Sequence, residues 1–559
     1  MNFTNHLEIE VKDKPFTVNS KVVSSKTVET KILNSLDKVI DVRYFGYTTT
    51  EEVFEKIKSG EKVILDHLYI KNISLNEYRK KYQIGETELI TINGFSAQNA
   101  FLDCDTGTDF SFASFEGGDI DFSNSFFGTG VVNFYKAQFG SGVVNFSNCW
   151  FGQGNINFQF TEFGEGDVLF PNSKFGLGNV SFINAVFGNG NVSFEEVDFG
   201  GGDVSFHYSA FGEGDISFHK TKFADGYVDY RRVDFGKGKV DFKRANFGDG
   251  DISFEESEFS EGKVTFRGAV FGEGSVSFEL AKFGDNDEVV LDKVDFGEGK
   301  VSFYCTTFGD LSFKGCHLSN YLDLRIDKGN SINLSDTIVT NIIDVKPHKN
   351  ARVLLNFLNI TSMRNLGRIF IDWKKNNVYD LIANQQDTSL QEKAEQFRTL
   401  KEDFNSTGLY DDEDKAYVEF KRFEMRANQQ AASQKNIVVS TLTWLKHAFQ
   451  NIVFDRMGLY ATSPIRVLGS MVIVYLIFSI VYLVLPEIVD AGIACTGADN
   501  DHISFFKRTF YYSAITFLTI GYGDCLPQGH IHWIAPLEGW IGVFMMSYFT
   551  VAFVRKVLR

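Results

Sequence analysis

The chain has 559 residues, of which 58 are Phe, 50 are Gly and only 7 are Pro. Its 43% hydrophobic and 15% aromatic residues exclude a disordered chain and require a large packed core. The formal net charge of −17 argues against a nucleic-acid-binding surface. The six Cys residues include no CxxC pair, which argues against a zinc site or a disulfide scaffold. The high Phe content indicates a repeated unit instead.

The N-terminal segment, residues 1–60, is predicted to form a small mixed α/β cap. Met1–Lys14 is polar and lacks the apolar region of a signal peptide, so we expect no cleaved leader. From residue 61 onward, apolar and polar residues alternate, which is typical of short strands. The first irregular turns of a repeat domain are therefore expected here.

A 12-residue repeat, FGxGx[VI]xFxxsx with s a small residue, covers residues 115–308. Its period-two alternation predicts short strands with one face inward, and the Gly-x-Gly pair predicts the corner between them. A β-solenoid is expected at residues 61–346, with degenerate turns beyond the regular repeats. Calcium-binding turns are not favoured, because the Asp position of the corner is also occupied by Val131, Tyr227 and Lys239.

The spacing of small and Phe residues resembles the pentapeptide-repeat family, which implies a right-handed square coil. The Phe steps alternate between five and seven residues, which departs from the uniform step of that family. One repeat would make a flat 12-residue coil, and two would make a four-sided 24-residue coil. We favour 24 residues, because a flat coil leaves little width for two Phe per turn. That length also places Arg231 and Arg232 over Glu255 and Glu256.

Residues 347–440 are predicted to form a linker whose segment 389–432 has the 3.6-residue period of helices. A helical hairpin with Gly408 at its turn is expected there. Residues 441–458 are amphipathic and precede a strongly apolar segment. We expect them to form an interfacial helix.

Two apolar segments follow, Val467–Leu485 without any charge and Ile534–Val554 with Glu538 as its only charge. Each is long enough to span a bilayer as a helix, whereas the intervening apolar stretch is too short. Basic residues flank both segments on their outer sides, which places both termini in the cytoplasm. The predicted pore domain, residues 459–559, contains an outer helix (467–485), a pore helix (507–518), a filter (519–524) and an inner helix (534–554).

The filter segment has the sequence TIGYGD and lies between the two predicted spans. It resembles the selectivity filter of potassium channels, and residues 456–559 resemble a two-span channel subunit. The resemblance implies a homotetramer in a lipid bilayer, because one subunit supplies a quarter of each ring of carbonyl oxygens. It also implies K⁺ as the bound ion, with no further metal or cofactor. The expected ion-binding residues are Thr519, Ile520, Gly521, Tyr522 and Gly523.

Residues around the filter depart from the usual potassium-channel pattern. Leu518 precedes the filter where Thr is common, and Ile515 stands where some members carry a carboxylate that bonds the filter Asp. Asp524 therefore needs another partner, for which Tyr511 is a candidate. In this family the filter Tyr also contacts aromatic residues of the pore helix. The residues expected to support the filter are Asp524, Tyr511, Tyr512 and Thr516.

Two further features follow from the same resemblance. Gly542, with Gly539 as the neighbouring alternative, lies near the bend of the family's inner helix. Glycine there permits either close packing or bending, and we favour a gating hinge. Cys495 and Cys525 are the Cys residues on the non-cytoplasmic side. A disulfide between them would resemble that of inward-rectifier channels, and two free thiols are the alternative.

The sequence thus predicts a tetrameric, potassium-selective channel of a bacterial inner membrane, with a cytoplasmic solenoid that assembles or regulates the pore. No constellation for catalysis is present, so we expect no enzyme. The alternative is a membrane-anchored solenoid scaffold in which conduction is secondary. No regulatory ligand is indicated. Force on the gate is expected to pass from the interfacial helix to Arg555 and Lys556.

Overall fold

The computed structural model forms two compact units, Met1–Gln386 and Asp387–Arg559. It describes residues 6–33, 36–103, 107–260, 262–285, 288–347, 354–433, 437–496 and 504–558.

The N-terminal unit begins with three antiparallel strands and two helices. The strands are His6–Lys12, Thr27–Leu33 and Val39–Tyr47, and a small hairpin joins Phe16–Val18 to Lys21–Ser24. Helix α1 (Thr50–Ser59) begins where the Thr49 side chain accepts a hydrogen bond from the backbone N–H of Glu52. Helix α2 (Leu75–Tyr82) begins in the same way at Ser74. A mixed cap thus precedes the repeats.

Parallel strands stacked at 24-residue spacing form the β-solenoid, which has about 13 coils. The prediction of a 24-residue coil is confirmed, since Val132 pairs with Ile156 and Val144 with Val168. One face is the 12-stranded sheet Thr108–Asp109, Val132–Asn133, Ile156–Asn157, Val180–Ser181, Val204–Ser205, Val228–Asp229, Ile252–Ser253, Val276–Ser277, Val301–Ser302, Leu322–Asp323, Ile342–Asp344 and Arg368–Phe370.

The remaining faces are built from further parallel strands. The 16-stranded sheet contains Val63–Ile64, Ile90–Ser96, Ala113–Asp121, Gln138–Phe139, Val144–Asn145, Val168–Leu169, Val192–Ser193, Ile216–Ser217, Val240–Asp241, Glu258–Phe259, Val264–Thr265, Lys282–Phe283, Glu288–Val290, Thr307–Ser312, Lys328–Asn333 and Leu354–Asn359. Leu68–Lys71, Phe101–Asp103 and Phe126–Phe127 extend the sheet of the cap, and His317–Leu318, Ile338–Val339 and Arg364–Asn365 form a three-stranded sheet. The parallel ladder therefore extends beyond residue 346, and helix α3 (Val378–Ala383) follows it.

Four columns of stacked aromatic rings fill the solenoid. They begin at Phe115, Phe122, Phe127 and Phe110, and each continues in steps of 24 residues, or of 25 residues near the end of the regular repeats. In the last of these columns, the rings of Phe134 and Phe158 have centroids 4.9 Å apart and planes within 6° of parallel. One repeat supplies two columns and the next repeat supplies the other two, so only a pair of repeats closes a coil.

The corner glycines are required by the closeness of successive coils. A Cβ on Gly190 would lie 2.2 Å from the carbonyl oxygen of Gly166, one coil earlier. Charged residues on the outer surface stack at the same spacing. Arg232 pairs with Glu256 as expected, whereas Arg231 pairs with Asp229, two residues earlier in the same coil.

The C-terminal unit is mainly helical. A hairpin of α4 (Leu390–Ser406) and α5 (Tyr410–Ser433) turns at Gly408, whose φ is +75°. Next come α6 (Ile437–Gln450) and a π-helical turn (Asn451–Arg456), where the interfacial helix was expected. Among the described residues, two helices are long and apolar enough to cross a membrane, α7 (Pro464–Ile488) and α9 (Ile531–Val557). Between them lie α8 (Phe505–Phe517) and a hairpin of Ala491–Cys495 with Cys525–Gly529.

Tyr230 occupies a Phe position in the last aromatic column and provides a test of this core. Its ring is fully buried, and its hydroxyl has no hydrogen-bond partner among the described residues. Burial raises the pKa of Tyr230. We expect Tyr230→Phe to increase the free energy of unfolding by about 1 kcal/mol, because a buried unpaired hydroxyl is removed without a change of shape. Thermal unfolding measures the effect, and Phe206→Tyr, which adds a hydroxyl in the same column, should lower the midpoint.

Candidate functional site: the pore loop

The pore loop consists of α8 and the TIGYGD segment, and it packs against both apolar helices. Phe517, at the end of α8, is buried in a cluster with Val467 and Met471 of α7 and Met545 of α9. Nearer the other end of these helices, Tyr512 packs edge-on against Tyr482, with ring centroids 5.3 Å apart. The sequence therefore folds as two long helices with a short helix between them, in the order that the hydropathy pattern predicts.

The TIGYGD segment leaves α8 through a tight turn. The backbone N–H of Ile520 donates to the carbonyl of Ile515 over 2.9 Å. Positive φ values occur at Thr519 (+53°), Gly521 (+55°) and Gly523 (+78°), a pattern that two glycines accommodate readily. A Cβ on either glycine would meet nothing within 4 Å. One face of this segment is thus open in the single chain, as is needed where several subunits share a site.

The side chains expected to support the filter have distinct positions. The Tyr511 hydroxyl donates to Asp524 Oδ2 over 2.8 Å, and the Thr496 N–H donates to the Asp524 carbonyl over 2.7 Å. Thr516 is half-buried, and its carbonyl accepts a hydrogen bond from the backbone N–H of Thr519. Tyr522 is 71% exposed and makes no ring contact among the described aromatic residues. Within one chain, the expected contact of Tyr522 with the pore helix is therefore not formed.

Glu538 of α9 joins three elements behind the pore loop, a role that was not predicted from the sequence. Its carboxyl group is fully buried. Tyr482 of α7 donates to Oε2 over 2.7 Å, and Ser513 of α8 donates to Oε1 over 2.5 Å. The sequence did contain one indication of this role, a single acidic residue within an apolar span. Such residues face polar partners inside a helix bundle. The identity of those partners depends on the fold.

The two glycines proposed as hinges have different surroundings. A Cβ on Gly542 would lie 1.9 Å from the carbonyl oxygen of Phe517, which marks a close approach of α9 to the end of α8. On Gly539, the nearest atom would be the Thr516 carbonyl oxygen at 3.7 Å, an ordinary contact. The hinge role of Gly542 stays a prediction, and the structure gives this glycine a packing reason as well.

A β-hairpin covers the pore loop. It lies after the end of α7 and before the start of α9, away from the basic residues at the end of α9. Its strands pair in antiparallel register, with Cys495 opposite Cys525. These two residues form a disulfide in the structure. The hairpin thereby connects the end of α7 to the residue directly after Asp524.

The opposite end of α9 is held by acidic residues of α5. Arg555 lies 3.0 Å from Asp414, and its guanidinium covers the Tyr417 ring at 4.6 Å. Lys556 pairs with Asp411 at 2.7 Å and with Asp414 at 3.1 Å. We call these residues, with Glu413, the α5–α9 charge cluster. The hydrogen bond from Lys556 lowers the pKa of Asp411.

Arg555 and Lys556 thus contact α5, whereas contacts with the interfacial helix were expected from the sequence. Tyr548 of α9 contacts that region instead, because its hydroxyl donates to the Phe454 carbonyl over 3.2 Å. The interfacial segment is in turn tied to α5 by Arg422, which pairs with Asp455 at 2.8 Å. This hydrogen bonding raises the pKa of Arg422.

Two apolar helices flank a short helix and an open, glycine-containing segment, which is the arrangement expected of a channel pore domain. Residues 470–559 match the family model described as "Ion channel". No curated protein and no solved structure matches the chain. The C-terminal part of the chain is thus an ion-channel domain, preceded by a β-solenoid.

The packing role of Gly542 can be tested by comparing its alanine variant with that of Gly539. We expect Gly542→Ala to impair the pore loop, because the added methyl group would displace the end of α8, at a cost on the order of 1–3 kcal/mol. Gly539→Ala should leave the protein close to wild type, since its Cβ has room. Thermal stability and ion flux of both variants provide the measurement. Equal behaviour of the two variants would remove the packing role of Gly542.

The Cys495–Cys525 disulfide can be detected directly in the purified protein. Non-reducing peptide digests of the purified protein should contain a Cys495–Cys525 linked pair, detected by mass spectrometry. Reduction before digestion is the control and should release both peptides. Recovery of two alkylated thiols without reduction would contradict the pairing.

Proposed function

We propose that the chain is a subunit of a homotetrameric, potassium-selective channel of the bacterial inner membrane, with both termini in the cytoplasm. Its solenoid assembles or regulates the pore. The TIGYGD segment carries the proposal, because its backbone turns repeatedly through positive φ and exposes one face within a single chain. Four such segments around an axis would place their carbonyl oxygens in rings that replace the hydration shell of K⁺.

The ion-binding groups proposed are the carbonyls of Thr519 to Gly523, with the hydroxyl of Thr519 at the inner end. Tyr522 would find its aromatic contacts on a neighbouring subunit, where its exposed ring can be buried. Tyr511 would hold Asp524 at the outer end of the filter. Because backbone carbonyls do the coordination, side-chain identity matters mainly through the backbone angles it permits.

The test is flux through purified full-length protein in liposomes. A K⁺ gradient should drive uptake of K⁺ or Rb⁺ and little Na⁺, and Gly521→Ala should abolish the flux or its ion preference. A Gly521→Ala channel with wild-type K⁺-over-Na⁺ preference would refute the filter assignment. Tetramers that bind a partner protein tightly but conduct no ion would favour the scaffold function.

The α5–α9 charge cluster predicts a gating effect separate from selectivity. Asp414 is 9% exposed and accepts from both Arg555 and Lys556, so Asp414→Asn weakens two charge-assisted contacts. We expect the open–closed equilibrium to change by about 1–2 kcal/mol while the K⁺-over-Na⁺ permeability ratio stays constant.

Single-channel recording in planar bilayers measures both quantities. Glu395→Gln, on the exposed face of α4, is the matched control and should gate like wild type. A changed permeability ratio in Asp414→Asn, or unchanged gating, would contradict the assignment of this cluster to the gate.

A further inference from the structure

The buried carboxyl group of Glu538 lies where three parts of the pore unit meet. We propose that Glu538 is a positioning residue for the filter: it fixes pore helix α8 between α7 and α9 and thereby sets the position of Thr519–Gly523. The effect on ion selection rests on the proposed function. The positioning of the loop does not.

Both carboxyl oxygens of Glu538 are used, each by a different element. Tyr482 from α7 donates to one oxygen over 2.7 Å, and Ser513 from α8 donates to the other over 2.5 Å. All three residues are fully buried. No other acidic side chain of the described residues of α7, α8 and α9 is buried, because Glu487 at the end of α7 is exposed. The burial of this carboxyl group is therefore explained by its own two hydrogen bonds and not by a general presence of acidic residues in these helices.

The position of α8 is passed to the filter through a short path. Ser513 lies two residues before Ile515 on the same helix. The Ile515 carbonyl accepts the N–H of Ile520 over 2.9 Å and that of Gly521 over 3.3 Å. A shift or rotation of α8 would therefore move the first filter residues with it.

The environment makes this contact difficult to replace. Within an apolar span, a polar group without a partner is unfavourable, so the carboxyl and the two hydroxyls stabilise one another. Substitution of Glu538 by Leu would leave the hydroxyls of Tyr482 and Ser513 buried without that partner. Glu538→Gln would keep an oxygen acceptor, and its amide could donate to the second hydroxyl.

The experiment uses the full-length chain in lipid nanodiscs and in planar bilayers, with K⁺ and Na⁺ as the probe ions. Hydrogen exchange of the peptide containing α8 and the filter reports loop position without any need for conduction. The K⁺-over-Na⁺ permeability ratio reports ion selection. The variants are Glu538→Leu, Glu538→Gln and, as the matched control, Glu487→Leu.

We expect Glu538→Leu to accelerate exchange of the filter peptide by about 10-fold and to reduce the permeability ratio by a similar factor. Glu538→Gln and Glu487→Leu should stay within about twofold of wild type in both measurements. An assembled Glu538→Leu protein with wild-type exchange or a wild-type permeability ratio would overturn the proposal. So would a Glu538→Gln variant as impaired as Glu538→Leu.

If the Glu538→Leu protein fails to assemble, variants of the two hydrogen-bond donors to Glu538 test the proposal instead. Ser513→Ala and Tyr482→Phe each remove one of the two hydrogen bonds to Glu538, and each should give a smaller acceleration in the same direction. Wild-type exchange in both would overturn the positioning role. If the wild-type protein carries no K⁺-selective current, the proposed function fails, whereas hydrogen exchange still decides the role of Glu538.

Discussion

Stacking of aromatic rings at a 24-residue interval fixes the geometry of the regular part of the solenoid. Each regular coil must place four rings directly over those of the coil before it, and the parallel strands hold this register through backbone hydrogen bonds. The corner glycines follow from the same constraint, because a side chain at Gly190 would collide with the backbone of Gly166. Outer residues are free to vary in charge and size, provided that they fit this spacing.

In the C-terminal unit the corresponding constraint is the scarcity of polar partners between apolar helices. Glu538 meets the hydroxyls of Tyr482 and Ser513, and Tyr511 meets Asp524, so the pore loop is held both behind and beside the filter. Ile515 stands where some potassium channels carry a carboxylate. Here a buried carboxylate comes from the inner helix instead, and it bonds α8 rather than Asp524.

Local patterns allowed much of this architecture to be predicted. The Phe spacing was sufficient for the coil length, and hydropathy with TIGYGD was sufficient for the order of helices and loop. Polar contacts that join separate helices were not accessible in this way. Ser513 and Glu538 are 25 residues apart, and Asp414 and Arg555 are 141 residues apart. Which acid meets which base at the end of α9 depends on how α5 packs, and no local pattern encodes that.

The distance along the chain between Asp414 and Arg555 has a consequence for biosynthesis. The two residues flank both apolar helices, so their ion pair can form only after α7, the pore loop and α9 have been inserted. Until then the acidic start of α5 has no basic partner on α9. The α5–α9 charge cluster therefore joins the start of this unit to its end only once the helices between them are in place.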